Sequence, residues 1–326
     1  VRPRLDAKPW GGQALRAFGF QICDDQTIGE ALITANDAIV TEGYGAGSTL
    51  GEIIALDPDR FLGARAREVV GGRPLFPLLV KLIDANQDLS IQVHPNDGQA
   101  APFDRLGKTE AWYVLRAEPG SKLYIGLTDP DARDQFAEAA DRLDGSSALL
   151  LRAVEAQTGS TYLLPAGTVH ALGAGVIVYE IQQPSDITYR LDDWGRVDAD
   201  GRPREMHREQ GLAVLRPEFQ PENIEPVPVS GQSRERHVLV ANEYFALERW
   251  SWLDTSEAML PESIGPQVVT LLSGELRVGP FHLAAGESAV VWPGDTAITL
   301  FSSDGVVLRG WVPDASDTFS FESVTR

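Results

Sequence analysis

The feature that most constrains this chain is a repeated order of strand and turn signals. EAWYVLRAEPGSKLYIG (110–126) reads as strand, turn, strand, and YLLPAGTVHAL (162–172) follows, with Pro and Gly opening another strand. QVVTLLSGELRVG (267–279) repeats the order, followed by VVWPGDTAITL (290–300). Many short strands separated by turn residues fold into a sandwich or barrel, so the repeat predicts two copies of one small β-barrel. Aligned on the Pro, His170 falls on Ile298; aligned at the first strand, Glu110 falls on Gln267. The first copy is therefore expected to keep polar groups inside and the second to lack them.

Other strand signals fit this scheme. FPLLVKLIDA (76–85), LSIQVHP (89–95), GVIVYEIQQ (175–183) and ITYRLDDW (187–194) belong to the first copy. FALERWSW (245–252) and VVLRGW (306–311) belong to the second. TLGEIIAL (49–56), after the Gly-rich GYGAGS, is read as strand-like. Helices are expected over 57–70, with Asp57 as cap and Pro58 in the first turn, over 129–143 with Asp129 as cap, and over 205–215. DADGR (198–202) is read as a turn. Residues 216–236 hold four prolines and little periodicity, and are the linker candidate. The expectation is a mainly β chain of two barrels with a few peripheral helices. Residues 1–230 would form the first domain, with the chemistry and the helical insertions, and 231–326 a metal-free β domain.

Composition narrows the function. The formal charge of −19 leaves no footprint for nucleic acid or an anionic membrane. A phosphate ligand would need a few Lys or Arg to make its pocket locally positive. The single cysteine, Cys23, forms no intramolecular disulfide and fits a reducing, cytoplasmic setting. The stretch VRPRLDAKPWGG shows no signal-peptide core, and the densest apolar run, FPLLVKLI, is interrupted by Lys81.

SIQVHPND (90–97) raises the chemical question. Gln92 and His94 are two residues apart on a strand and share a face. Glu110 opens the strand after GKT, and His170 follows PAG on a later one. Two imidazoles, a carboxylate and an amide brought together inside a barrel would suit Zn²⁺ or another borderline divalent ion. Gln92 is the weakest ligand of the four. Spread over this much sequence, each could equally be an isolated structural side chain.

Several stretches occur together and in order: KPWGG (8–12), GEIIAL (51–56), FPLLVKLIDANQDLSIQVHPND (76–97), GKTEAWYVL (107–115), LLPAGTVHALG (163–173) and YEIQQPSDITYRLDDWGR (179–196). Through them the chain closely resembles the type I phosphomannose isomerases (mannose-6-phosphate isomerases) in their short bacterial form, over roughly residues 8–215. The resemblance implies a cupin jelly-roll fold and a zinc-dependent aldose–ketose isomerase acting on a small phosphosugar, with one Zn²⁺ per chain. Carried over by position, it implies Gln92, His94, Glu110 and His170 as zinc ligands and Arg190 as the active-site arginine. It places Lys108 and Ser90 at the sugar-phosphate pocket and Glu180 at an acidic position beside the substrate. One departure concerns the pocket wall: relatives carry an aromatic residue in a GE-x-W stretch, whereas Gly29-Glu30 is followed here by Ala31 and Leu32.

The implied reaction interconverts mannose 6-phosphate and fructose 6-phosphate through an enediol. The base is open between Glu180 and a metal-bound water. Plainer readings stand beside these roles: Arg190 paired with Asp192 or Asp193 at the surface, Lys108 solvated, Glu180 a buried hydrogen-bonding acid, Trp112 and Tyr113 core. The alternative functions are a metal-cupin enzyme on another phosphosugar and a non-catalytic sugar-phosphate binder.

Overall fold

A computed structural model describes residues 1–197, 200–229, 234–252, 255–295, 298–314 and 317. All strand pairings in its sheets are antiparallel, and the sheets fall into two groups. The first joins a six-stranded sheet, in the order Arg4–Asp6, Glu30–Thr34, Leu79–Ala85, Val176–Gln182, Glu110–Ala117, Thr161–Leu164, to a five-stranded sheet. The second joins the order Val227–Pro228, Arg234–Ala241, Ala246–Trp252, Val306–Trp311, Gln267–Ser273, Ser288–Val291 to a four-stranded sheet. In both groups the last long strand of the half is inserted fourth, between earlier strands. The repeat expected from the sequence is therefore a repeat of topology: two jelly-roll sandwiches, neither closed into a continuous barrel.

Local chemistry explains the helices and one misreading. TLGEIIAL is not a strand but the helix Leu50–Leu56. Thr49 accepts from the Glu52 N–H at 3.1 Å while the Glu52 carboxylate accepts from the Thr49 N–H at 2.8 Å. This reciprocal cap outweighs the β-branched run behind it. The helix Pro58–Val69 starts as expected, with Asp57 accepting from the Arg60 N–H, and kinks at Gly63, whose φ is +69°. The 129–143 segment begins as a short 3-10 turn and becomes the helix Arg133–Ala140. The third helix is Arg208–Val214, and it packs closely at Gly211, where a Cβ would lie 2.5 Å from the Leu191 side chain. Of the expected turn DADGR, 198 and 199 lie outside the described residues, as do 230–233 of the linker candidate and of the expected domain boundary. The linker candidate also contributes Val227–Pro228 and the start of Arg234–Ala241 to the second group of sheets.

Alternation along the strands produces two kinds of core. Trp112, Val114 and Val178 point between the first pair of sheets, and Trp250, Val269 and Leu271 between the second. The opposite faces of the same strands meet each other. Val80, Leu82, Ala111, Tyr113, Tyr179 and Ile181 pack in one cluster with Leu239, Phe245, Leu247, Val268 and Leu308. Tyr179 and Thr270 share a buried hydrogen bond across this contact, 3.1 Å, and the Ser288 hydroxyl donates to Thr270 at 2.9 Å. The central strands of the first six-stranded sheet are thus covered on both faces.

Candidate functional site

The site lies between the two sheets of the first sandwich. On the five-stranded sheet, Arg190 pairs with Gln92, Gln92 with His170, and His170 with Ile125, which sets Arg190, Gln92 and His170 side by side on one face. His94 follows directly after the strand Ile91–Val93. Glu110 faces them from the first residue of Glu110–Ala117 on the opposite sheet. The three strong ligand candidates, His94, Glu110 and His170, converge: one ligand atom from each lies within 4.8 Å of the others, and all three side chains are buried.

Hydrogen bonds fix which atoms face the centre. The His94 Nδ1 donates to the Ile187 carbonyl at 2.7 Å, and the His170 Nδ1 donates to the Thr168 carbonyl at 2.9 Å. A carbonyl only accepts, so each Nδ1 carries the hydrogen, and the inward Nε2 of a neutral ring is a lone pair. His170 Nε2 lies 3.0 Å from Glu110 Oε1, and His94 Nε2 lies 3.6 Å from Glu110 Oε2. Both Glu110 oxygens are buried without a well-directed hydrogen bond. The Lys108 ammonium meets Glu110 Oε2 and His94 Nε2, whereas His170 Nε2 faces Glu110 Oε1 acceptor to acceptor, an arrangement that favours a cation at this point. Ligands about 2.0–2.2 Å from a tetrahedral Zn²⁺ are themselves separated by about 3.3 Å, so the observed spacings fit a first-row divalent ion.

The charges around this point agree. Burial and the nearby Lys108 ammonium hold His94 well below the usual imidazole range, so its ring is neutral. Burial alone would raise Glu110, but the Lys108 ammonium outweighs it and keeps the carboxyl well below its usual range. Lys108 itself is 4% exposed, with Nζ 2.6 Å from Glu110 Oε2 and 3.1 Å from His94 Nε2. It also lines an open cleft of about 470 Å³, so cluster and cleft meet at this side chain. Gln92 lines the same cleft, with Nε2 3.3 Å from His170 Nε2. Its carbonyl oxygen would reach a cation there only after the amide turns over.

Of a second polar row on the six-stranded sheet, Glu180 was singled out in the sequence and Lys81 and Glu30 were not. Lys81 pairs with Glu180, and Glu180 with Trp112. Lys81 Nζ lies 3.0 Å from Glu180 Oε1 and 3.7 Å from Glu30 Oε1, and the Trp112 indole donates to Glu180 Oε2 at 2.8 Å. Burial works against charge on Lys81, but Glu180, Glu30 and Glu110 prevail and hold its ammonium above the usual lysine range. Lys81, Glu30 and Trp10 all line the cleft. The signal was the alternation of FPLLVKLIDA, in which Lys81 had registered only as an interruption of an apolar run. Trp112 is core and site wall at once, its ring edge-on to His170 at 5.3 Å, whereas Tyr113 points into the core shared with the second sandwich. Leu32 stands in the wall where relatives were expected to carry an aromatic ring.

Arg190 and Arg204 also line the cleft. Asp193 is 2% exposed and binds both Arg196 and Arg204, at 2.6 Å and 2.5 Å. Arg190 forms no such pair among the described residues. Its Nη1 donates to the Glu205 carbonyl at 2.8 Å and its buried Nε has no partner, so the surface ion pair is not what this arginine makes. Burial, and then the neighbouring Arg204, lower its affinity for its proton. Ser90, 4% exposed, adds a hydroxyl to the same wall. Six basic residues (Arg4, Lys8, Lys81, Lys108, Arg190 and Arg204) against four acidic ones (Asp6, Glu30, Glu180 and Asp186) line this cleft in a chain of charge −19, which suits an anionic ligand.

Comparisons with known proteins agree with this architecture. Residues 2–134 match the family described as "Phosphomannose isomerase type I, catalytic domain". A mannose-6-phosphate isomerase of Streptococcus mutans is 32% identical over 284 residues, covering 85% of each chain. The crystal structure of the mannose 6-phosphate isomerase from Bacillus subtilis superposes with a TM-score of 0.82 at 28% identity, over 95% of this chain and 98% of that one. A mannose 6-phosphate isomerase crystallised with zinc and yttrium shares the fold, with a TM-score of 0.72 at 18% identity over 96% and 98% of the two chains.

Proposed function

The chain belongs to the type I phosphomannose isomerases, which are aldose–ketose isomerases, and on that premise we propose that it interconverts mannose 6-phosphate and fructose 6-phosphate through an enediol with one bound Zn²⁺. The observation that carries the zinc reading is the set of acceptors at one buried point: two imidazole lone pairs and both oxygens of Glu110. His94, Glu110 and His170 would hold the ion, with Gln92 as the fourth ligand. When bound, Zn²⁺ supplies charge stabilisation to the sugar's carbonyl and hydroxyl oxygens, with no redox chemistry.

The chain's own side chains do the rest. Arg190, Ser90 and Arg204 bind the phosphosugar and orient it in the cleft. Lys108 places a positive charge where negative charge develops on oxygen. Glu180, 3.0 Å from the Lys81 ammonium and aimed by the Trp112 indole, takes the proton from C2 of the aldose and returns it to C1, while the O2 hydroxyl proton passes to O1. Trp112 and Leu32 form the apolar wall that limits water around the enediol.

The test is turnover of mannose 6-phosphate to fructose 6-phosphate before and after chelation, with zinc added back. Loss and recovery of activity support reaction and cofactor together. No turnover by folded, zinc-loaded protein overturns the substrate and favours another phosphosugar. Glu180→Gln should lower kcat by about 10²–10⁴-fold, the range of a positioned acid–base group, while zinc content stays unchanged. Full activity in that variant overturns the proton-transfer role.

A further inference from the structure

Three of the four proposed zinc ligands are set by loops rather than by strand interiors, and one carboxylate ties those loops together. Asp97, three residues after His94, opens the short helix Asp97–Ala100. Its Oδ1 accepts from the Gly107 N–H at 2.7 Å and from the Gln183 side-chain amide at 3.1 Å. The same Gln183 amide accepts from the Thr109 N–H at 2.8 Å, beside Glu110. Backbone bonds close the mesh: Lys108 donates to the Pro95 carbonyl at 3.0 Å, Gln183 to Thr109 at 3.1 Å, and Gly167 to the His94 carbonyl at 2.8 Å. Segments 94–97, 107–110, 165–167 and 183 are therefore one hydrogen-bonded body. Gly107 belongs to it by shape: a Cβ there would lie 2.5 Å from the Asp97 nitrogen, so only glycine lets the GKT loop lie on the HPND loop.

The other oxygen of Asp97, which also accepts from the Gln183 amide at 3.3 Å, is held by the second sandwich. Tyr244 donates its hydroxyl to Asp97 Oδ2 at 2.8 Å, across 147 residues of sequence. Tyr244 sits on a built turn between Arg234–Ala241 and Ala246–Trp252. Asn242 Oδ1 accepts from the Tyr244 and Phe245 N–H groups at 2.7 and 2.9 Å, and Phe245 is fully buried. Burial and the Asp97 carboxylate both push the phenol above its usual range, so it remains a donor.

We propose that Asp97 is a positioning residue for the metal ligands and that Tyr244 is the clasp by which the C-terminal sandwich holds it. The carboxylate fixes the spacing between the His94 loop and the Glu110 loop, and Tyr244 fixes the carboxylate. The proposal rests on the reading of His94, Glu110 and His170 as a zinc site. It gives the second sandwich a part in the site's geometry without a residue in the cleft.

The experiment uses the full chain loaded with Co²⁺ or Zn²⁺, comparing parent, Asp97→Asn and Tyr244→Phe. The visible d–d spectrum of bound Co²⁺ reports ligand geometry, and the rate of Zn²⁺ release to a chelator reports how firmly the ligands are held. Loss of a group that orients metal ligands costs about 10–100-fold in metal affinity. Asp97→Asn is therefore expected to release Zn²⁺ about tenfold faster or more and to shift the Co²⁺ spectrum. Tyr244→Phe, which removes one oxygen and keeps the ring, is expected to move both readouts the same way by a smaller factor. If Asp97→Asn fails to fold, Tyr244→Phe decides alone. Unchanged spectrum and release rate in folded variants overturn the clasp and leave the metal site standing. A parent that takes up neither ion overturns the metal reading and the clasp with it.

Discussion

The two six-stranded sheets carry charge triplets of opposite sign at matching positions. In the first, Lys81 pairs across to Glu180, and Glu30 pairs with Ile83, two residues further along the same strand as Lys81. In the second, Glu248 pairs across to Arg309, and Arg236 pairs with Trp250, two residues further along the same strand as Glu248. The first triplet is one cation between two carboxylates, and it borders the cleft. The second is one carboxylate between two guanidiniums, with Arg236 over the Trp250 ring at 4.3 Å and Arg309 over the Trp311 ring at 4.0 Å. Glu248 and Arg309 are 1% and 4% exposed. The expectation that the second copy had lost its interior polar groups is corrected: it kept them, inverted in sign and packed under aromatic rings. One scaffold thus supports a buried ionic ladder in either sense, one bordering a cleft and one packed under aromatic rings.

The harshest way to break the comparison is to remove a ligand. His170→Ala should lose metal retention and turnover together, measured by metal content and isomerase assay, while Ile298→Ala, at its aligned position, should leave both intact. Next is the ladder itself. Lys81→Met leaves Glu180 buried without its partner and should cost about 3–5 kcal/mol together with most activity. Arg309→Met should cost stability of the same order by urea titration and little turnover per folded molecule. Equal loss of turnover in both would erase the distinction between an open and a packed ladder.

Acid sharpens it further. Against the opposing effect of burial, Glu110 and Glu30 are held below their ordinary range in the folded protein, by Lys108 and by Lys81 with Lys8 respectively. A depressed folded value means stability that is present above about pH 4 and is lost as pH falls through the folded values. Urea midpoints from pH 7 to 3 should therefore drop on the acid side, and Glu30→Gln should flatten that drop. The smallest expected effect is Tyr179→Phe, which removes the hydroxyl bonded to Thr270 and should cost about 1 kcal/mol.

What could be read in the sequence followed the physics of strands. Gln92 and His94 were placed together because alternation is local, and the Pro and Gly signals located the strands carrying Glu110 and His170. Lys81 and Glu30 were not recognised, because whether a strand lysine faces a cleft or solvent depends on which sheet covers it. TLGEIIAL was misread because a reciprocal cap at Thr49 and Glu52 outweighs local β preference. The buried ladder of the second sandwich was invisible for a related reason: its partners lie on separate strands and share no local motif.

The strand Val176–Gln182 has a consequence for how this chain can vary. Its odd positions, Ile177, Tyr179 and Ile181, belong to the contact with the second sandwich, and Val178 and Glu180 belong to the interior of the first. Inserting or deleting one residue would swap the two sets in a single event, driving a carboxylate into a dry seam and an isoleucine into the cleft. Substitutions can be absorbed one at a time on either side, but its length cannot drift. Divergence within this segment is confined to spelling, never to frame.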